Sequence, residues 1–340
     1  MQQNDIDQNL IRLPKMSLIK AAEFLDISVQ AVHRQLKTKN LLCPKIGTKA
    51  YLTHKIAQEL FELRFDPKVI SCQIVKGGVG KTTSIDNIAC CASTYGAKIL
   101  LVDVDPQGNL TDSFGVDAEN MPVLLDLISD NIDITDSIVN VYEGIDLLPS
   151  RIENVVLDNR IMLDKLPLHT LYSDLLEPIR HLYDFIIFDC PPNLGCSVTA
   201  ATLYADTILV PLNPDKYSIK GLKILKSEVK NLQKAYKKEI DYKVFLNKFS
   251  EKTILSNKAI KSITSDPDME KRAMNNVIKF YQEIPNMTDE GCNLFSQLKN
   301  SLARDEFDKL TRELLDIKSP KEEMHKNNLK HESNRLMAEA

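Results

Sequence analysis

Apolar positions along this chain recur at two spacings, and the change from one to the other divides it. Over residues 17–37 they follow a helical period, with Ile19, Ala22, Phe24 and Leu25 first and Val29, Val32 and Leu36 after them. Asp26-Ile27-Ser28 separates the two sets. The pattern predicts two short helices joined by a tight turn, capped by Ser17 and Ser28, with these apolar residues facing a small core. Residues 45–52 suit a short hairpin and residues 54–65 another helix, which Pro67 then ends. Beyond Pro67 short apolar runs alternate with helical spacing. The runs fall at residues 69–75, 98–103, 144–148, 184–189, 207–212, 242–247 and 277–283. Such alternation predicts an α/β fold, a largely parallel sheet with helices on both faces, preceded by a small helical unit. A last helix is expected over residues 296–315. The expected division is a loose tail at 1–14, a small helical unit at 15–65, the α/β domain at 66–317 and a charged, mobile tail at 318–340.

Composition narrows the class only a little. The chain has 340 residues, 43% hydrophobic and 26% charged, enough for one large domain and a small one. Its apolar runs all stop short of the roughly 18–20 residues of a membrane span. The first ten residues are polar and carry Asp5 and Asp7, unlike a secretory signal. Seven cysteines lack paired metal-ligand spacing, and Cys90-Cys91 on a predicted helix reads as core packing. These features predict a cytoplasmic protein without structural disulfides. Net charge is −4, yet residues 1–64 hold ten Lys/Arg against six Asp/Glu. A basic end on an acidic protein suits contact with a polyanion.

The chemistry centres on Lys76-Gly77-Gly78-Val79-Gly80-Lys81-Thr82-Thr83. A glycine-rich turn between a strand and a helix directs backbone N–H groups and the positive end of the helix dipole into one small space, which suits nucleotide phosphates. Lys81 would reach the outer phosphates and the Thr82 hydroxyl would take a Mg²⁺ position. The general phosphate-loop pattern places a Gly where this chain has Val75, and Lys76 stands at the loop's entrance instead. Two further segments end predicted strands with carboxylates: Asp103 and Asp105 in one, Asp189 before Cys190-Pro191-Pro192 in the other. Asp189 suits Mg²⁺ held through water, because that ion dehydrates reluctantly. Asp105 suits orientation of a water at the γ-phosphate. For each aspartate alone a helix cap or turn residue is the ordinary explanation; together with the loop they point to nucleotide hydrolysis.

In the N-terminal unit the second helix would turn Gln30, His33, Arg34 and Lys37 outward. Gln and Arg can read base edges in a major groove, and Lys and Arg can hold phosphates. Residues 21–36 resemble the helix-turn-helix of bacterial DNA-binding proteins; a plain helical hairpin for dimerisation is the competing reading.

Over residues 69–315 the chain resembles the ParA family of Walker-type DNA-partition ATPases, in the wider deviant-loop group that includes MinD. The loop at 76–83, the Asp103–Asn109 segment and Asp189-Cys190-Pro191-Pro192 carry the likeness. The resemblance implies that ATP and Mg²⁺ join two subunits into a homodimer and that Lys76 reaches the partner's phosphates. It implies that Lys81 and Asp105 support hydrolysis and that Asn247 contacts the base, although Asn in a turn is equally ordinary. The segment Val210-Pro211-Leu212 with Ser218, Gly221 and Leu222 would build the dimer face or the base pocket. It implies non-specific DNA binding, for which Lys258, Lys261, Lys271, Arg272, Lys299, Arg304 and Arg312 are candidates. It further implies a ParB-like centromere-binding partner that triggers hydrolysis, nucleoid association and, with the N-terminal helix-turn-helix, repression of the protein's own operon.

Four other readings compete. A MinD-like membrane positioner needs an amphipathic C-terminal helix, and Met324, Leu329, Leu336 and Met337 are too sparse for one. An iron–sulfur reductase needs bridging cysteines that Cys190 and Cys196 do not match. A ligase of the dethiobiotin synthetase kind has little use for the N-terminal motif. A repressor that uses ATP only as a regulatory ligand would need the same residues.

Overall fold

The computed structural model describes residues 12–130 and 132–323. Its N-terminal unit comprises β1 (Met16–Ser17), α1 (Leu18–Leu25), α2 (Val29–Thr38), a hairpin of β2 (Lys45–Ile46) and β3 (Lys49–Leu52), and α3 (His54–Phe61). The local chemistry is the expected one. Ser17 accepts a hydrogen bond from Lys20 N and Ser28 one from Ala31 N, so both helices begin at a capping hydroxyl. Asp26 closes α1 in the left-handed conformation. Val32 and Leu36 are buried, whereas Ile19 turns outward and is 59% exposed; Leu18 and Ala21 take the core positions assigned to it. The two-residue strand β1, absent from the sequence pattern, pairs with β3 and makes the hairpin a three-stranded antiparallel sheet.

The α/β part opens with β4 (Lys68–Cys72), α4 (Lys81–Ser93), β5 (Ile99–Asp103), α5 (Asn109–Ser113) and α6 (Leu124–Asp130). It continues through β6 (Val139–Tyr142), β7 (Ile145–Leu148), α7 (Leu157–Leu163), α8 (Leu171–Arg180), β8 (Phe185–Asp189) and α9 (Cys196–Tyr204). The last elements are β9 (Thr207–Leu212), α10 (Lys216–Tyr236), β10 (Asp241–Leu246), α11 (Ile254–Thr264), α12 (Pro267–Arg272), α13 (Glu283–Asp289) and α14 (Leu302–Leu315). Seven strands form one sheet in the order β10-β9-β4-β8-β5-β7-β6. All neighbours are parallel except the edge strand β6, which pairs antiparallel with β7. Alternate residues of the central strands enter opposite apolar clusters, Ile70, Leu101 and Ile187 on one face and Val69, Leu100 and Ile186 on the other. A sheet buried on both faces needs this run of apolar residues without polar alternation.

Three sequence expectations change. The run at 277–283 forms an isolated bridge rather than a strand: Lys279 pairs with Phe249, Ile278 N donates to Leu246 O and Phe280 N to Phe249 O, and Glu283 already begins α13. Pro285 falls in that helix's first turn, where its missing N–H costs nothing. The last helix starts at Leu302 rather than 296, because the Ser301 hydroxyl caps it by accepting from Arg304 N. Residues 318–323 of the expected tail dock on the protein through Lys321–Asp26 (2.6 Å) and Arg312–Glu322 (2.6 Å). The rest of that tail, 324–340, and residues 1–11 of the other lie outside the described residues. No helix among the described residues is long and apolar enough to cross a membrane.

The N-terminal unit is joined to the α/β part by a shared core. Phe24, Phe61 and Tyr95 pack ring to ring, with Phe24 4.8 Å from Tyr95 and 5.1 Å from Phe61. Each such aromatic pair adds about 0.5–1.5 kcal/mol beyond its buried area. Tyr95 Oη donates to Asp308 on α14 at 2.7 Å, and Lys20 on α1 pairs with Asp305 at 2.7 Å. Lys15 is fully buried and donates to the carbonyls of Leu13 and Ser296. Gly96 adopts φ +89°, and a Cβ there would stand 2.6 Å from Gln58 Cα, backbone of α3's helix. Gly96→Ala should therefore destabilise the protein by about 2–4 kcal/mol, from strain plus overlap. Urea denaturation followed by circular dichroism would measure the shift, and a variant as stable as wild type would show that the two parts do not press together at this point.

Candidate functional site

Strand register brings the site together. Asp189 of β8 lies level with Cys72 of β4 on one side and with Asp103 of β5 on the other. The loop after β4 and the carboxylates of β5 and β8 therefore emerge at one edge of the sheet, the C-terminal edge where ligands of such sheets bind. Gly78 and Gly80 have φ of +72° and +87°, conformations that L side chains rarely adopt. Asn247 Nδ2 donates to Val79 O at 2.8 Å and Lys248 Nζ to Gly78 O at 2.9 Å, so the loop is braced from the end of β10. Helix α4 begins at Lys81 directly behind Gly80. Its first N–H groups have no intrahelical acceptor and carry the positive end of the dipole.

Two clefts meet over this loop, sharing Gly80, Thr83 and Thr288. One, of about 620 Å³, is lined by Gly77, Gly78, Lys81, Thr82, Asp105 and Pro192. The other, of about 670 Å³, has Asn247, Lys248, Phe280 and Tyr281 on its walls. Lys81 is only 8% exposed and makes no hydrogen bond or ion pair among the described residues. With the Asp189 charge near it but no direct bond to it, its ammonium is placed to meet an anion in the first cleft.

Beside it, Thr82 Oγ1 donates to Asp189 Oδ2 at 2.6 Å. The other oxygen, Asp189 Oδ1, is buried with no hydrogen-bond partner among the described residues. Burial pushes the Asp189 carboxyl up, against the opposing pull of the Thr82 hydroxyl and the Lys81 charge. Asp103 is also pushed up, by burial and then by the charge of Asp189. Its oxygens are already engaged: Oδ1 accepts from Asp105 N, and Oδ2 from Thr111 N and Oγ1. Asp103 thus shapes the turn that presents Asp105. Asp105 is half-exposed, accepts Gln107 N at 3.0 Å through Oδ1 and faces the cleft.

Lys76 is placed differently from the other loop residues. Its Nζ donates to Asp215 Oδ2 at 2.6 Å and to Ser218 Oγ at 3.1 Å, both at the start of α10. Asp215 also caps that helix by accepting Tyr217 N and Ser218 N. Burial works against Asp215's charge, but these bonds hold its carboxyl below the usual range.

Among the sequence candidates, Gly77, Gly78, Gly80, Lys81, Thr82, Thr83 and Asp105 line one cleft, with Asp189 beneath Thr82 and Val79 buried within the loop. Asn247 reaches the second cleft while bracing the loop. Gln30, His33, Arg34 and Lys37 are all exposed on α2 and line neither cleft. The candidate DNA cations of the C-terminal part divide. Arg304 is 4% exposed and donates to the carbonyls of Leu294, Gln297 and Lys15. Arg312 pairs with Glu322 and covers the Phe24 ring, and Arg272 pairs with Asp241 and Asp268. These three hold the fold together, while Lys258, Lys261, Lys271 and Lys299 are exposed. Cys190 is fully buried against Ser71 and its thiol is pushed up to about 12 by burial.

Three residues at the site escaped the sequence reading. Lys248 carried no signal beyond following Asn247. Asp215 is legible as a helix cap in Asn213-Pro214-Asp215 but not as the partner of Lys76. Asp86 is a carboxylate on the buried helix α4, at the cleft wall, its Oδ1 accepting from Cys90 Sγ at 3.4 Å.

The AAA domain family matches residues 67–242. The sporulation initiation inhibitor protein Soj of Bacillus subtilis (strain 168) is 33% identical over 169 residues, 49% of this chain and 66% of that protein. The chain thus spans slightly less than two thirds of the first curated relatives it matches. The chromosome-partitioning ATPase Soj of Treponema pallidum is 30% identical over 199 residues, 56% of this chain and 75% of that protein. Among solved structures, the ATP complex of a Cyanothece McdA variant superposes with a TM-score of 0.67 at 22% identity, covering 75% of this chain and 98% of that one. At that identity the likeness speaks for the fold alone.

Burial raises the Asp86 carboxyl to about 7. Between its unfolded value of 3.8 and that folded value, only the unfolded chain releases the proton, so stability falls as pH rises through this window. Asp86→Asn should match wild type near pH 4 and exceed it at pH 8 by a few kcal/mol. Urea denaturation at the two pH values checks this, and an equal difference at both would refute it.

Proposed function

Because the chain belongs to the ParA family of Walker-type ATPases, we propose that it is an ATP-dependent DNA-partition ATPase that works as a nucleotide-switched homodimer. The single observation that carries this reading is the buried Lys81, which makes no hydrogen bond or ion pair among the described residues, in a glycine-walled cleft at a helix N-terminus. The triphosphate would lie along the loop, against the N–H groups of residues 77–83, with Lys81 on its outer phosphates. The base would occupy the second cleft, near Asn247.

The donor set fits Mg²⁺: a hydroxyl oxygen, Thr82 Oγ1, stands 2.6 Å from Asp189, whose second oxygen has no hydrogen-bond partner among the described residues. When bound, the ion would neutralise phosphate charge and keep Asp189 ionised. Thr82 would ligate it directly and Asp189 through water. Asp105, half-exposed at the cleft, would orient the attacking water. Lys76 would cross to the partner subunit's phosphates, and to do so it must leave Asp215 and Ser218.

ATP-joined dimers would bind DNA without sequence preference on the nucleoid of the cytoplasm, and a ParB-like centromere-binding protein would stimulate hydrolysis and release. The exposed row Gln30, His33, Arg34 and Lys37 on α2 would give the N-terminal unit a major-groove contact. That row supports operon repression as a second activity. A repressor that uses ATP only as a regulatory ligand is the alternative, favoured by the same row, and it predicts no dependence of function on Asp105.

Asp105→Ala should bind ATP and dimerise like wild type while hydrolysing it at least about 100-fold more slowly. Lys76→Ala should bind ATP but remain unjoined. Phosphate release and light scattering with ATP or ADP measure both. Wild-type turnover by Asp105→Ala would sink the assigned role, and ATP-driven dimers of Lys76→Ala would sink the clamp.

A further inference from the structure

We propose that α10 carries a linear binding ridge for the phosphate backbone of duplex DNA, an inference that rests on the partition reading and assigns its non-specific DNA contact. Lys216, Lys220, Lys223, Lys230 and Lys234 are all exposed on this helix. At about 100° per residue they fall within roughly 80° of arc, and at 1.5 Å per residue the row extends about 27 Å. Ser227, the remaining residue of the arc, is also exposed. No carboxylate interrupts the row, since Glu228 lies on another face.

The protein treats these cations differently from their neighbour. Lys226, off the arc, is held by Asp266 at 3.2 Å and Asp268 at 3.0 Å. Lys220, Lys223, Lys230 and Lys234 make no ion pair among the described residues. Concentrating unneutralised cations on one straight edge of a net acidic chain carries a repulsion that a polyanion relieves.

Duplex DNA fits this edge better than an acidic protein does. One strand offers a phosphate about every 3.4 Å of helix axis, so the ridge spans roughly eight phosphates. A protein partner would need a buried apolar or aromatic anchor at the centre of the contact. Here the exposed Tyr217 and Ile224 stand to one side, and the middle of the row is Ser227. The ridge also begins where the nucleotide loop is tied down, since Asp215, the cap of α10, is the residue that holds Lys76. Movement of Lys76 toward a partner subunit would release the first turn of the ridge helix from the loop.

The test uses the full chain, ATP and a random-sequence duplex of about 30 base pairs, with binding followed by fluorescence anisotropy over 50–200 mM salt. Three lysines away from the nucleotide loop are replaced together: Lys223→Gln, Lys230→Gln and Lys234→Gln. The slope of log affinity against log salt should fall by about 0.9 for each lost phosphate contact, close to 2.7 in all. Basal ATP hydrolysis should be unchanged, and the matching triple Lys→Arg variant should keep the wild-type slope. A normal slope in the Gln variant overturns the ridge, including the case in which that variant instead loses its response to an acidic protein. Wild type that fails to bind duplex DNA at all overturns the ridge together with the partition reading, which separates the two failures.

Discussion

Helix α4 is packed on nearly every side, and the rest of the molecule is arranged by that confinement. Of its thirteen residues only Thr82 and Thr83 are not buried, and these two face the cleft. The sheet closes one side through Ile85, Ile88 and Ala89, and α14 closes another, where Cys91 and Tyr95 meet Asp308. The N-terminal unit closes the far end, with His54 against Ser93 O and the α3 backbone against Gly96. A helix held this tightly cannot shift without disturbing several interfaces, because packed interiors deform by discrete steps. Its N-terminal N–H groups are thereby fixed in front of the cleft, and its C-terminal end is fixed against the unit that bears α2.

The charges around that helix form two kinds of contact. Within the cleft they are incomplete: among the described residues Lys81 is buried without a hydrogen bond or ion pair, and Asp189 has one satisfied oxygen and one without a partner. Burial raises the cost of both, and such costs persist in a native structure when a ligand relieves them. At the rim the contacts are complete. Lys76 has Asp215 and Ser218, and Asp103 has the backbone and hydroxyl of Thr111. The complete contacts set the shape of the site, and the incomplete ones define what it accepts.

The same distinction sorts the basic residues. Arg304, Arg312 and Arg272 look like surface cations in the sequence, yet each answers a structural demand. Arginine suits these places because its planar fork satisfies several carbonyls or a carboxylate while its stem and face cover apolar rings. Lys220, Lys223, Lys230 and Lys234 of α10 make no ion pair among the described residues, and their regular row is visible only once the helix is known to present one continuous outer face.

The sequence by itself determined the alternation of strands and helices, the glycine loop and the carboxylates that end β5 and β8, because these depend on local spacing and on the few residues able to adopt positive φ or end an apolar strand. It also determined the two caps of the N-terminal helices, Ser17 and Ser28, which act on N–H groups only three residues away. Tertiary structure decided what depends on distant partners. It chose Ile19 as the outward residue of α1, made residues 277–280 a bridge rather than a strand, and recruited β1 by pairing with β3. It tied Lys76 to a residue 139 positions away and braced the loop from Asn247 and Lys248, some 170 positions on. Local propensity acts over a turn or a strand, whereas these contacts exist only after the sheet order has brought β4, β9 and β10 side by side.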